Sequence, residues 1–199
     1  MAAVGTEQGF KQDVALARAA ARGDRAAQRE IAERLLDRVR TTVTYLAPNH
    51  PDLNDLAQRS LLEILRSVGT FSGGSSLETW ADRVASRTAM RLIKQKSRQA
   101  EVVTLVADPE PPDWLPQEDE ESRQRLRRRL TALLSRISPD RREVLVLHLV
   151  HGYTVAEIAE MTDTPANTVR DRLQVGRAQL RNHILHDPVL GRSRLAGTD

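Results

Sequence analysis

Two sets of side chains in this sequence have the types and the spacing to grip a polyanion. Arg83, Arg87, Arg91, Lys94 and Arg98 follow one another at intervals of four, four, three and four residues. On a helix this places them inside an arc of about 80°. Like charges at that spacing repel one another, and a phosphate backbone relieves the repulsion by taking them as counterions. A solvated basic face or a membrane surface would use the same residues. Trp80, Ala81, Val84, Ala85 and Leu92 cover the adjoining side, and an apolar side of that kind favours packing onto other helices over lipid. The second set lies nearer the carboxyl end. On a helix through 164–186, Asn167, Arg170, Asp171, Gln174 and Arg181 share one side, and Val169, Leu173, Gly176, Leu180 and Ile184 the other. Arg, Asn, Gln and carboxylates are the side chains that meet base edges in a major groove, and the first turns of a recognition helix present them there. Taken alone, this stripe could equally be an ordinary solvated face.

Both stripes need elements to hold them. Ile31, Leu35, Val39, Val43 and Leu46 recur every three or four residues behind the start signal Gly23-Asp24, and Pro48 and Pro51 close that helix. An alanine-rich stretch predicts a shorter helix before it, about 11–22. A helix over about 52–68 turns Leu53, Leu56, Leu61, Ile64, Leu65 and Val68 inward and stops at Gly69. Phe71 to Gly74 reads as a loop. Ser75 and Glu78 have capping-box spacing and would open the long basic helix, about 76–98. Further on, 123–137 is helical by pattern. Ser138-Pro139 pairs an N-cap with proline at the first helical position, and that helix runs to Gly152. Thr154 and Glu157 make a second capping box, Thr162-Asp163 a turn, and Thr164-Pro165 the start of the last helix. A short capped helix, a tight turn and a longer helix describe a helix-turn-helix, which strengthens the nucleic-acid reading of the second stripe. No segment reads as a strand.

Between the two halves the composition changes. Eight acids and no base lie between Glu101 and Glu121, together with Pro109, Pro111, Pro112 and Pro116. Such a stretch reads as a solvated linker; a long loop within one domain is the alternative. The expected architecture is all-α: two small helical domains, 11–100 and 122–186, joined by the acidic, proline-containing linker 101–121 and followed by a flexible tail, 187–199.

Composition removes several function classes. With no cysteine among 199 residues, zinc ribbons, iron–sulfur clusters, disulfide frameworks and cysteine nucleophiles are excluded, as suits a reducing cytoplasm. No apolar run approaches the roughly 20 residues of a membrane span, and the first ten residues lack the pattern of a secretory signal. His148 and His151 have no acidic partner in the local pattern and read as ordinary core or surface residues. No Gly-rich phosphate loop, HExxH pair or nucleophile elbow occurs. The expectation is a protein that is not an enzyme, with no cofactor, no metal and no small-molecule substrate.

Specific segments also carry a resemblance. Ser138-Pro139-Asp140-Arg141-Arg142-Glu143-Val144-Leu145, Tyr153 to Glu160 and Asn167 to Leu173 resemble the promoter-binding carboxyl-terminal domain of bacterial sigma factors. Asp55-Leu56-Ala57-Gln58, and Phe71 with its glycine loop and Trp80, resemble the same family's amino-terminal domain. Only one linker separates the two, so the chain is similar to the extracytoplasmic-function (ECF) group. The resemblance covers about 11–185. It implies a sigma-two-like domain, a sigma-four-like domain, and the partners of the family: the beta-prime clamp of core RNA polymerase, promoter DNA and an anti-sigma protein.

By that resemblance Asp52, Asp55, Leu56, Gln58, Arg59 and Glu63 bind polymerase. Phe71, Ser72, Trp80, Arg83, Arg87, Arg91, Lys94 and Arg98 recognise and melt the minus-ten element. Thr164, Asn167, Thr168, Arg170, Asp171, Gln174 and Arg177 contact the minus-thirty-five element. The acidic linker would run through basic polymerase channels, or merely keep the chain soluble. Two departures stand out. Arg59 replaces the family's Glu, with Glu63 one turn on, and Ser86-Arg87-Thr88 replaces its Arg-Asn. The expected function is to direct core polymerase to the promoters of a stress- or signal-responsive regulon. A free-standing helix-turn-helix regulator is the alternative.

Overall fold

A computed structural model describes residues 7–48, 50–99, 121–187 and Leu190 of the chain. The linker expected at 101–121 lies outside these residues except for Glu121, as does nearly all of the tail. The elements are α1 (Glu7–Ala21), α2 (Arg25–Leu46), α3 (Leu53–Ser67), a 3-10 turn (Val68–Thr70), α4 (Leu77–Gln99), α5 (Glu121–Ser135), α6 (Pro139–Leu149), α7 (Val155–Thr162) and α8 (Ala166–Leu185). The described residues contain no strand. They fall into two compact units, one holding α1 to α4 and the other α5 to α8.

In the first unit α2, α3 and α4 pack on one another pairwise, and α1 lies against α2. The stripe Ile31, Leu35, Val39, Val43 and Leu46 is wholly buried, each large side chain contributing about 1.5–3 kcal/mol by leaving water. Asp24 caps α2 by accepting from the N–H groups of Ala26 and Ala27. Opposite this stripe α4 presents Ala81, Ala85 and Ala89, all buried. Methyl-sized side chains at four-residue spacing let its backbone approach closely.

Polar pairs lock the same helices. Arg38 on α2 holds Asp82 on α4 with its Nε 2.9 and 2.8 Å from the two carboxylate oxygens and Nη2 2.6 Å from Oδ2. One turn earlier, Arg34 binds Asp13 of α1 at 2.6 Å and Glu78 of α4 at 2.6 Å. These carboxylates raise the Arg34 guanidinium above its ordinary value, the hydrogen bond to Asp13 being the largest cause. Because Arg34 meets Glu78 and Arg38 meets Asp82, α2 and α4 run parallel here, and two rungs one turn apart fix the rotation of α4 about its axis.

Here the capping box expected at Ser75 and Glu78 is corrected. Ser76 caps α4, its Oγ accepting from the Thr79 N–H at 3.1 Å, while Glu78 is drawn off to Arg34. In the preceding loop Gly73 has φ +82°, and a Cβ there would lie 2.6 Å from Cγ2 of Val14. Gly73→Ala is therefore expected to cost about 1–2 kcal/mol from backbone strain alone, with the steric clash added, read as a lowered urea midpoint.

In the second unit α6 and α7 pack on α8 and on each other, and α5 contacts α8. Ile137, Val144, Leu145, Leu147, Ile158 and Val169 form the buried centre. α6 stops at Leu149, earlier than expected, and Gly152 at φ +78° lies in the turn beyond it. Ser138 holds the N-cap position without a side-chain cap bond, Pro139 following at the first helical position. Burial pulls the Arg142 guanidinium down to about 10, still cationic at neutral pH. Asp187, expected to begin a flexible tail, is instead tied to α5: Arg129 Nε donates to its carboxylate at 2.6 Å.

Candidate nucleic-acid and polymerase interfaces

The helix-turn-helix forms from its local signals. Thr154 Oγ1 accepts from the Glu157 N–H, and the Glu157 carboxylate accepts from the Thr154 N–H at 2.8 Å. The Thr154 N–H first, and then the Thr154 hydroxyl donating to the same carboxylate oxygen at 2.7 Å, hold the Glu157 carboxyl below its ordinary value. Asp163 ends α7 in the left-handed conformation at φ 52°, a state that Asp tolerates better than most residues. The last helix starts one residue later than expected, with Pro165 as the N-cap rather than the first helical residue. Thr164 Oγ1 turns back to the Thr162 carbonyl at 3.2 Å.

On α8, Val169, Leu173 and Gly176 face the core, while Leu180 and Ile184 are only half-buried. Gly176 has a packing reason: a Cβ on it would lie 3.1 Å from Leu145 Cδ1, so α8 and α6 touch almost backbone to side chain. Asn167, Arg170, Asp171, Gln174, Arg177 and Arg181 are exposed, and Thr168 is half-buried. Asn167 Oδ1 accepts from Arg170 Nη1 at 2.6 Å, holding that guanidinium over the first turn. Arg172 is occupied differently, reaching Asp140 of α6 at 3.3 Å.

In the first unit the charges of α4 are sorted by side. Glu78 and Asp82 face α2, whereas Arg83, Arg87, Arg91 and Lys94 are exposed. Arg98 belongs to the same helix, and its side chain lies outside the described residues. Trp80 is half-buried and Ser72 exposed. Phe71, placed with the DNA-contacting residues from the sequence, is buried at 5% exposure. Its ring centroid lies 5.8 Å from that of Trp80, the rings tilted at 58°. The aromatic pair anchors the loop, and the half-buried Trp80 is its more accessible member.

On α3 a second residue of the resemblance lies inward. Leu56, assigned to polymerase, is 1% exposed and belongs to the core. The outward face carries Gln58 and Arg59, both exposed, with Asp55 and Glu63 half-buried. Asp52 caps the helix by accepting from the Asp55 N–H at 2.7 Å. The Asp55 carboxylate is paired with Arg59 at 2.8 Å, so the residue that departs from the family pattern neutralises part of the acidic face. Sequence reasoning missed Leu62, which is 50% exposed. It sits one turn from Gln58 and Arg59 on the same face, off the inward stripe, and that offset was the available signal.

Comparison with known proteins finds two family matches in the chain. The family profile described as Sigma-70 region 2 matches residues 31–99, and that described as Sigma-70, region 4 matches 127–180. The ECF RNA polymerase sigma factor SigE of Mycolicibacterium smegmatis is 30% identical over 172 residues, 82% of this chain and 65% of that protein. The chain thus spans just under two thirds of this relative's length. The ECF RNA polymerase sigma-E factor of Haemophilus influenzae is 27% identical over 186 residues, 86% of this chain and 95% of that one. Among solved structures, the sigma factor RpoE of Bartonella quintana, in complex with the anti-sigma factor NepR, superposes with TM-score 0.62 at 18% identity. It covers 80% of this chain and 97% of its own. CnrH in complex with the cytosolic domain of CnrY gives TM-score 0.60 at 18% identity, over 85% of this chain and 95% of that one. At that identity the likeness is one of fold.

Proposed function

We propose, since the chain belongs to the sigma-70 family and is similar over most of its length to extracytoplasmic-function members, that it directs core RNA polymerase to promoters and starts transcription there. The observation that carries this reading is the pairing of two outward faces in one chain. α4 turns Arg83, Arg87, Arg91 and Lys94 to solvent, and α8 does the same with Asn167, Arg170, Asp171 and Gln174. A regulator that only binds duplex needs the second face and not the first.

In this reading the protein performs no bond chemistry. The first turns of α8 enter the major groove of the upstream element, with Arg170 pre-set by Asn167. The α4 cations hold the backbone of the opening duplex, beside Trp80 and Ser72. Asp52, Asp55, Gln58, Arg59 and Glu63 on α3, with Leu62 among them, meet the polymerase clamp. The site of action is cytoplasmic, with the polymerase, and no helix among the described residues is long and apolar enough to cross a membrane. The RpoE structure was captured with the anti-sigma factor NepR, and an anti-sigma protein covering these faces is the regulator proposed here.

Run-off transcription from the chain's own upstream region, with purified core polymerase, tests the reading directly. A discrete start site that appears only when the chain is added is the expected result. Duplex binding without any redirected transcription would leave the free-standing regulator instead. A finer expectation concerns Asp171, whose carboxylate accepts from cytosine N4 and repels phosphate. Asp171→Ser should change the upstream motif recovered from randomised promoters, discriminating by about 1–3 kcal/mol at one base pair. Recovery of an unchanged motif refutes it.

A further inference from the structure

His148, near the end of α6, stands between two partners that together fix its chemical state. Its Nδ1 lies 2.7 Å from the Tyr153 carbonyl oxygen. A carbonyl only accepts, so Nδ1 carries a proton. Its Nε2 is in hydrogen-bond contact with the Arg177 guanidinium, which only donates. The contacts admit one arrangement: a neutral ring protonated at Nδ1, with the Nε2 lone pair aimed at Arg177. The turn supplying the carbonyl is itself held, because Gly152 takes φ +78° and the Tyr153 N–H reaches back to the Leu147 carbonyl at 3.1 Å.

Arg177 is exposed and lines a shallow depression on α8 with Arg170, Gln174 and Arg181. It lies three turns into the helix. At that depth an arginine meets the phosphate backbone rather than a base edge, and so sets register and affinity. The nature of its holder matters. A carboxylate here would cancel the charge that a phosphate needs. An imidazole nitrogen orients the guanidinium through one N–H, leaves the cation whole, and leaves its other N–H groups for DNA.

We propose that His148 is a positioning residue for DNA binding: in its neutral, Nδ1-protonated form it holds the Arg177 guanidinium ready for a backbone phosphate. This rests on the reading of α8 as a DNA-binding helix. The gain is pre-organisation, since a long flexible side chain fixed before binding loses less freedom on binding. No base-specific contact is involved, so the effect is alike for all sequences.

Two substitutions separate positioning from mere support of the turn. In His148→Gln the amide oxygen stands where Nε2 stands and accepts from Arg177, while the bond to Tyr153 is lost. In His148→Asn the amide N–H stands where Nδ1 stands and keeps the Tyr153 bond, while the acceptor for Arg177 is lost. The assay is fluorescence anisotropy of the full chain with a mixed-sequence duplex of about 30 base pairs over a salt series. Arg177→Ala should lower the slope of log affinity against log salt by about one. His148→Gln should bind as the wild type does. His148→Asn should bind about three-fold more weakly, as expected for one unfixed long side chain, with no further loss when combined with Arg177→Ala.

Nitrogen-15 NMR of the ring should show the proton on Nδ1. An Nε2-protonated ring, or a His148→Asn affinity equal to or above that of His148→Gln, overturns the proposal. If Arg177→Ala itself leaves affinity and salt slope unchanged, the DNA-binding reading of Arg177 fails and takes the inference with it. If Arg177→Ala weakens binding while the Gln and Asn variants match, the inference alone falls.

Discussion

Replacing Arg83, Arg87, Arg91 and Lys94 together by glutamine is expected to weaken duplex binding by about 10³-fold near physiological salt, without loss of folding. Each phosphate neutralised contributes about 0.9 to the slope of log affinity against log salt, so removing four contacts lowers the slope by about 3.6. The wild type and the variant should therefore converge as salt approaches 1 M, where released counterions bring no further gain. Thermal stability should stay close to that of the wild type. These side chains are exposed, and neighbouring like charges at helical spacing cost about 0.2–0.5 kcal/mol per pair. Anisotropy across a salt series, beside thermal unfolding by circular dichroism, reads both quantities. A loss that does not vary with salt, or that comes with a collapsed melting temperature, would show that these residues support the fold instead of gripping DNA.

The same helix shows what the sequence makes legible and what it hides. Its outward cations are visible because a period of three or four residues survives in any surface stripe. The buried stripe from Ile31 to Leu46 is visible for the same reason, and the Thr154–Glu157 box because both partners lie within one turn. What escaped was long-range. Glu78 has the right spacing to cap its own helix from Ser75, yet Arg34, forty-four residues away, takes it, and Ser76 supplies the cap. Nothing local marks Asp82 as a buried carboxylate or Asp187 as the anchor of α5, because each is satisfied by an arginine from a distant helix.

Motif reasoning leaves a different matter open at Leu56 and Phe71, which the resemblance places at interfaces and the fold buries. Both fall inside family patterns that mix buried and exposed residues, and a motif does not separate the side chains that present a surface from those that hold it up. Leu62 is the converse, an exposed apolar residue that no inward period claims. His148 reads from the sequence as an ordinary core or surface residue. Its pairing with Arg177 depends on α6 and α8 meeting closely at Gly176.

Asp82→Ala carries the largest expected loss of stability, about 3 kcal/mol by urea unfolding. The carboxylate is 1% exposed and accepts three hydrogen bonds from Arg38. Removing one partner of a buried pair costs about 3–5 kcal/mol because the other charge stays desolvated. The Arg38 side chain is 33% exposed, so partial rehydration sets the lower end of that range. If the loss comes from the stranded cation, the double replacement Arg38→Met with Asp82→Leu should recover most of it, since an apolar pair of similar volume is often as stable as the ions it replaces. The rungs have a further consequence for DNA. Arg34–Glu78 and Arg38–Asp82 hold the inner side of α4 against α2, which is why Arg83, the residue next to Asp82, points to solvent. Without the second rung α4 keeps its cations but not their fixed bearing, so Asp82→Ala should also weaken duplex binding while leaving most of the salt slope intact. The apolar double variant should restore that binding along with the stability. A double variant that regains stability but not binding would separate the two, and would place the ion pair in recognition and not only in the fold.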